Sequence, residues 1–200
     1  MSLPTEWFDR MYAAAEDPWG FRERWYEKRK YALSLAVLPR PLYRRAFEPG
    51  CSVGVLTALL ADRCEELLAW DPAGAAVRAA TAALARHPTV TVTTGRLPVD
   101  RPPGRFDLVV FSEVGYYLDP ADLESTLDLL QETLEPGGDL LAVHWRPQVE
   151  GYPSCGDAVH AALHRRTDLE LTARHVEDDF LLEVRRNGPA RSVAQDGGLR

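Results

Sequence analysis

The residues best able to do chemistry together sit in the first half of the chain. The segment Phe47-Glu48-Pro49-Gly50-Cys51-Ser52-Val53-Gly54 ends an apolar run in a carboxylate and a glycine turn. Asp71 then closes the next apolar run, 23 residues beyond Glu48. Gly50 and Gly54 let the backbone come close to a ligand where a β-carbon would collide with it. Many strand-to-helix junctions need such a turn for packing alone, so the glycines by themselves leave both roles open. The carboxylate of Asp71 adds a second feature. At the end of a second strand it can accept hydrogen bonds from both hydroxyls of a ribose, and it would repel a phosphate placed there.

Two ligand classes carry a ribose of that kind, the dinucleotides and S-adenosylmethionine. A dinucleotide fingerprint GxGxxG requires glycine at its second position and a free helix N-terminus for the pyrophosphate. Here Ser52 stands at that second position. Glu48 is an odd neighbour for a pyrophosphate but suits a cationic amino-acid or sulfonium end by simple attraction. S-adenosylmethionine is therefore the expected cofactor.

These groups need a scaffold, and helical patterns alternating with short apolar runs predict an α/β protein built around a parallel sheet. The first forty residues read as helical, stopped by Pro39 and Pro41. Strands are predicted at 45–48, 67–70, 90–94, 106–111 and 139–144, with helices at 53–63, 75–86 and 119–134 between them. Phe106-Asp107-Leu108-Val109-Val110-Phe111 is nearly continuous in apolar residues, as in strands buried on both faces, and belongs at the sheet centre. Pro136-Gly137-Gly138 is read as a turn before the fifth strand. A helix at 156–165 precedes two last strands, 169–175 and 180–186, expected as an antiparallel pair. Composition predicts disorder for residues 187–200. The expected fold is a three-layer, Rossmann-like α/β domain with a seven-stranded, mostly parallel sheet over residues 41–186 and an N-terminal helical lid over residues 1–40.

The chain of 200 residues suits one domain, and its 46% hydrophobic content suffices for a core. A formal net charge of −7 disfavours nucleic acid as a partner. Three scattered cysteines fit a reducing compartment, and no stretch reads as a membrane helix or signal peptide, so a cytoplasmic location without membrane attachment is expected. No metal is expected: His160 and His164 lie one helical turn apart, but no glutamate sits between them as in HExxH. No GxSxG elbow points to serine hydrolysis.

The acid-x-Gly-x-x-x-Gly pattern of Glu48 to Gly54 resembles the first motif of the class I S-adenosylmethionine-dependent methyltransferases. Asp71 corresponds to that family's ribose-binding acid, Gly95-Arg96-Leu97 to its adenine-side loop, Ser112-Glu113-Val114 to the end of its fourth strand and Glu135-Pro136-Gly137-Gly138 to the turn before its fifth. The runs DPWGFRERWYEKRKY, SEVGYYL and HWRPQVEGYPSCGDAVH resemble the NodS-like subgroup, whose namesake N-methylates the amino sugar of a chitooligosaccharide signal. The resemblance implies cofactor contacts from Glu48, Gly50, Gly54, Asp71, Leu97 and Ser112. It also implies that the WYEKRKY helix lies over the cofactor, with Arg29 pairing to its carboxylate and Tyr26 and Trp19 as lid residues. Arg29 reads equally as a surface arginine, and the aromatics as helix packing. Arg96 departs from the pattern, since it cannot accept a bond from the adenine amino group. No NPPY-type motif is present, which argues against a nucleobase as acceptor.

On the acceptor side, Glu113 can hold an amine or sugar hydroxyl or else cap a helix, while Tyr116 and Tyr117 offer aromatic walls. His144, at the carboxyl end of the fifth strand, is a candidate for proton removal or a structural histidine, with Trp145 and Tyr152 as further pocket candidates. The expected activity is methyl transfer to an amino or hydroxyl group of a small polar, sugar-like molecule. Two rivals remain open at this level: a non-catalytic adenosyl-nucleoside binder and an NAD-dependent oxidoreductase.

Overall fold

The computed structural model describes all 200 residues. Two helices open the chain, α1 (Thr5–Ala14) and α2 (Trp25–Val37). Strands β1 (Tyr43–Pro49), β2 (Cys64–Asp71), β3 (Val90–Thr94), β4 (Phe106–Ser112) and β5 (Leu134–Trp145) follow, with α3 (Val55–Ala61), α4 (Gly74–Ala83) and α5 (Pro120–Thr133) among them. Helix α6 (Gly156–His164) leads into β6 (Leu169–Val176) and β7 (Phe180–Asn187). All seven strands form one sheet in the order β3-β2-β1-β4-β5-β7-β6. The first five are parallel, and β7 runs antiparallel to both β5 and β6.

The central position expected for β4 holds, and every one of its residues is buried. Its side chains serve both faces: Leu108 and Val110 pack with residues of α2 and α3, whereas Phe106, Val109 and Phe111 join the side chains of α5 and α6. Alanine-rich α4 sits beside α3 through Ala80, so three layers result. Asp119 starts α5 by accepting from the N–H groups of Ala121 and Asp122, with Pro120 in the first turn.

Two expectations differ from the structure. Pro136-Gly137-Gly138 does not separate α5 from a strand; it lies inside β5, whose pairing with β4 shifts register between Phe106 and Leu108. Residues 193–196, where composition predicts no order, form the one-turn helix α7 (Val193–Asp196), capped by Ser192 and tied to β7 through Arg186 and Asp196. No helix is long and apolar enough to cross a membrane.

The topology creates the site. β1 and β4 are neighbours although β2 and β3 intervene in sequence, so the chain connections diverge there and leave a crevice beyond the strands' carboxyl ends. Pro49, Asp71, Ser112 and Trp145 all end strands on that side. The two N-terminal helices cover it, with Tyr12 packing on Val53, Ala73 and Ala76 and Leu3 N–H donating to the Tyr117 carbonyl at 2.9 Å.

Candidate active site

The crevice encloses a cavity of about 410 Å³, within the roughly 300–1,000 Å³ of small-molecule sites. At one end lies Asp71, buried at 4% exposure. Its carboxylate accepts from Ser52 N–H at 3.0 Å and from Ala73 N–H at 2.9 Å. Ser52 takes a left-handed φ of 52° to present that amide, and its hydroxyl accepts from Tyr12 OH at 2.7 Å. Burial pushes the Asp71 carboxyl up to about 6, against the opposing pull of those two amides. Each carboxylate oxygen keeps acceptor capacity beyond its one amide partner. Gly95, whose N–H bonds to the Asp71 carbonyl, continues into Arg96 and Leu97 on the same wall.

The other wall is built around Glu113, the residue after β4. It adopts a left-handed φ of 57°, a conformation that is uncommon outside glycine and is maintained only by surrounding contacts. Its Oε1 faces Lys30 Nζ at 2.6 Å, while Oε2 accepts from Tyr116 OH at 2.5 Å and Trp145 N–H at 3.0 Å. Lys30 is 2% exposed and also lies 2.9 Å from Glu27 Oε2. One ammonium thus meets two carboxylates. Burial alone would lower the Lys30 ammonium, but the facing carboxylates of Glu113 and Glu27 raise it above its usual value. Burial raises the Glu27 carboxyl in spite of Lys30. Tyr26 lines the same wall with a buried hydroxyl that has no partner, so that group is free for a ligand.

The structure brings most of the expected residues together. Gly50, Asp71, Leu97, Tyr26, Glu113, Tyr116, Tyr117, Trp145, Tyr152 and Trp19 all line the cavity. Tyr152 stacks on Tyr116 with ring centroids 5.6 Å apart, and Trp19 stacks on Phe21 at 5.7 Å.

Five others lie elsewhere. Arg29 is 42% exposed and binds Glu177 with both terminal nitrogens, at 2.8 and 2.6 Å, so it is a surface ion pair off the cavity wall. His144 is wholly buried behind the wall, its Nε2 already accepting from Gly115 N–H at 3.2 Å. Burial drives its pKa well below the usual histidine range, so it is not the base in contact with an acceptor. Glu48 is 3% exposed beneath the loop, with one oxygen unpartnered, and burial pushes its carboxyl up to about 7. Gly54 is needed for a different reason than the one expected: a Cβ there would lie 3.0 Å from Leu84 and 3.3 Å from the Ala80 backbone of α4, not near a ligand. Ser112 is buried at the end of β4, beside the wall.

Sequence reasoning missed Glu27, Lys30, Tyr12 and Ser52. The i,i+3 spacing of Glu27 and Lys30 was the available signal, but nothing local shows that the pair turns inward.

The fit to S-adenosylmethionine rests on these observations. The cavity is open beside Asp71, neither Asp71 nor Glu48 is consumed by an ion pair, and the first residues of α3 do not line it as a pyrophosphate cradle would.

The chain is similar in sequence and fold to known proteins. A family model described as a methyltransferase domain matches residues 46–138. Nodulation protein S of Bradyrhizobium diazoefficiens is 26% identical over 195 residues, 92% of this chain and 93% of that protein. Nodulation protein S of Rhizobium tropici is 30% identical over 131 residues, 64% of this chain, and the match spans only 55% of that relative's length. Among solved structures, a Pseudomonas syringae protein provisionally assigned as a methyltransferase shares 47% identity, covering 82% of this chain and 99% of that one with a TM-score of 0.73. The fold of the N-methyltransferase NodS from Bradyrhizobium japonicum WM9, solved with S-adenosyl-L-homocysteine, superposes with a TM-score of 0.83 at 24% identity over 92% of this chain and 99% of that one.

Proposed function

This chain belongs to the class I S-adenosylmethionine-dependent methyltransferases and is NodS-like, and from that premise we propose that it N-methylates a small polar amine, an amino sugar being the first choice. When bound, S-adenosylmethionine supplies an electrophilic methyl group on a sulfonium. Asp71 holds the two ribose hydroxyls, and Leu97 with Gly95 flanks the adenine. The proposal is carried by the wall opposite, where Glu113 is fixed by Lys30, Tyr116 and the Trp145 amide.

That wall suits an amine on physical grounds. Glu27 and Glu113 outnumber Lys30, and the rings of Tyr26, Trp145, Tyr116 and Tyr152 surround them, a setting that attracts a cation through charge and aromatic faces. The amine must shed a proton to free its lone pair. Glu27, buried and with its carboxyl raised, is the group on the wall suited to take it. An alcohol, with an acidity near that of water, would need a far stronger base, and His144 is withdrawn from the cavity. In-line displacement further demands that the acceptor be held and water excluded, which is the work of the N-terminal helices and the tyrosines.

The test is methyl transfer from labelled cofactor to matched panels of amines, amino sugars and hydroxyl-only sugars. Transfer to amino compounds is expected. Transfer confined to hydroxyl-only compounds would overturn the proposed acceptor, and no binding of S-adenosylhomocysteine would overturn the cofactor site.

A further inference from the structure

Three side chains that take no direct part in the transfer run in file from β7, on the antiparallel side of the sheet, to the acceptor wall. His144 on β5 accepts from Gly115 N–H through Nε2 at 3.2 Å, and its Nδ1 lies 3.3 Å from Nε2 of His160 on α6. His160 Nδ1 lies 3.4 Å from Oε2 of Glu183 on β7, close enough to pair but without hydrogen-bond alignment. Glu183 is wholly buried and anchored by Arg185 at 2.9 Å, Arg174 at 3.2 Å and His164 Nε2 at 3.0 Å. His144 and His160 are at most 1% exposed.

The direction of every proton in this file is forced. A backbone N–H can only donate, so His144 Nε2 must be bare. A neutral imidazole then carries its proton on Nδ1 and donates it to His160 Nε2. His160 is left with its own proton on Nδ1, facing Glu183. Burial alone would raise the Glu183 carboxyl, but the facing His160 N–H and the guanidinium of Arg185 bring it below its usual range, so it faces His160 as a carboxylate.

The far end of the file is the 3-10 turn Gly115–Tyr117, which begins two residues after the left-handed Glu113 and has no side-chain cap of its own. A local strain of this kind persists only where neighbours over-determine it. His144 meets the turn at a position where even a β-carbon would lie 3.0 Å from its Nε2 and 2.7 Å from Val159. Trp145, the next residue, holds Glu113 itself.

We propose that His144, His160 and Glu183 form a relay of positioning residues that fixes the Gly115–Tyr117 turn, and with it Glu113 and Tyr116, in the geometry that receives the methyl acceptor. The relay rests on the reading of that wall as the acceptor site, but its proton order does not.

The test has two arms. In the acceptor-free protein, nitrogen NMR of labelled histidines should show His144 and His160 each carrying a single ring proton, on Nδ1. A His144 protonated on Nε2, or charged, would overturn the relay whatever the acceptor is. In the second arm, His160→Leu removes the partner of His144, while His160→Gln can accept and donate through its amide. His160→Leu should shift the Gly115 and Tyr116 amide resonances and raise the acceptor KM about tenfold, the scale of one lost buried hydrogen bond. Affinity for S-adenosylhomocysteine should stay near the parent value, and His160→Gln should recover most of the KM. An unchanged acceptor KM, an equal loss of cofactor affinity, or a glutamine variant as impaired as the leucine one would each refute it. Should the leucine variant fail to fold, the proton positions in the parent protein still decide. A parent protein with the expected proton order but no amine turnover would count against the proposed acceptor and leave the relay standing.

Discussion

At the scale of single residues, the proposed site assigns one carboxylate to the cofactor and two to the acceptor. Asp71 is fixed by two amides and exposed to the cavity, so Asp71→Asn should weaken S-adenosylhomocysteine binding by about 1–3 kcal/mol, the usual range for a hydrogen bond to a charged group. Titration calorimetry reads this directly, and unchanged affinity would place the ribose elsewhere. The same residue sets a pH dependence. Ribose hydroxyls donate to the ionised form, and burial raises the free carboxyl to about 6. Binding must therefore weaken as pH falls below about 6, approaching tenfold per pH unit, and should flatten above it. For Glu27, Glu27→Gln should lower kcat while leaving cofactor affinity close to normal; a variant that turns over amines at the parental rate across pH 6–9 would remove Glu27 as the proton acceptor.

At the scale of elements, the loop between β1 and α3 shows two glycines with unlike duties. Both have φ of 81°, but only Gly50 lines the cavity, whereas Gly54 abuts α4. Gly54→Ala forces a left-handed alanine against Leu84 and Ala80, and should cost about 1–3 kcal/mol of stability. The folded fraction should still bind S-adenosylhomocysteine normally. Urea denaturation beside calorimetry distinguishes this from a ligand-contact role, which would instead show as lost affinity in a stable protein. Helix α2 works by rotation: Arg29 and Lys30 are sequence neighbours, yet one pairs with Glu177 on the surface and the other is buried between Glu27 and Glu113. A step of about 100° around the helix makes that difference.

At the scale of the whole molecule, buried acids give stability two opposing slopes with pH. Glu183, with its carboxyl at about 2 in the folded chain, contributes stability that is complete above its unfolded value and lost as pH falls from near 4 toward 2. Glu48 and Asp71, raised to about 7 and about 6, act in the opposite sense. Their unfolded forms ionise first, so folding grows less favourable as pH climbs from near 4 through 7. The urea midpoint should therefore be higher near pH 5 than at pH 8. Glu48→Gln, which cannot ionise, should flatten that decline and be the more stable protein at pH 8. An unaltered slope in this variant would show that Glu48 does not govern it.

The amino-acid sequence alone determined the alternation of helices and strands, the central place of the β4 residues and the acid that closes β2. Each of these is a local matter: apolar runs, alanine-rich helices and a carboxylate after a strand carry their signal within a few residues. Tertiary structure alone decided which charged groups face the cavity. His144 and Trp145 lie on opposite faces of a strand buried on both sides, so no alternation of polarity tells which of them points to the ligand. Arg29 and Lys30 share a charge and differ only in angle. The pairing of Lys30 with Glu113, 83 residues apart, and the file from Glu183 to Gly115 exist only once the sheet brings distant segments together, because burial and partner distance, which set the chemistry of a charged group, are properties of the folded chain.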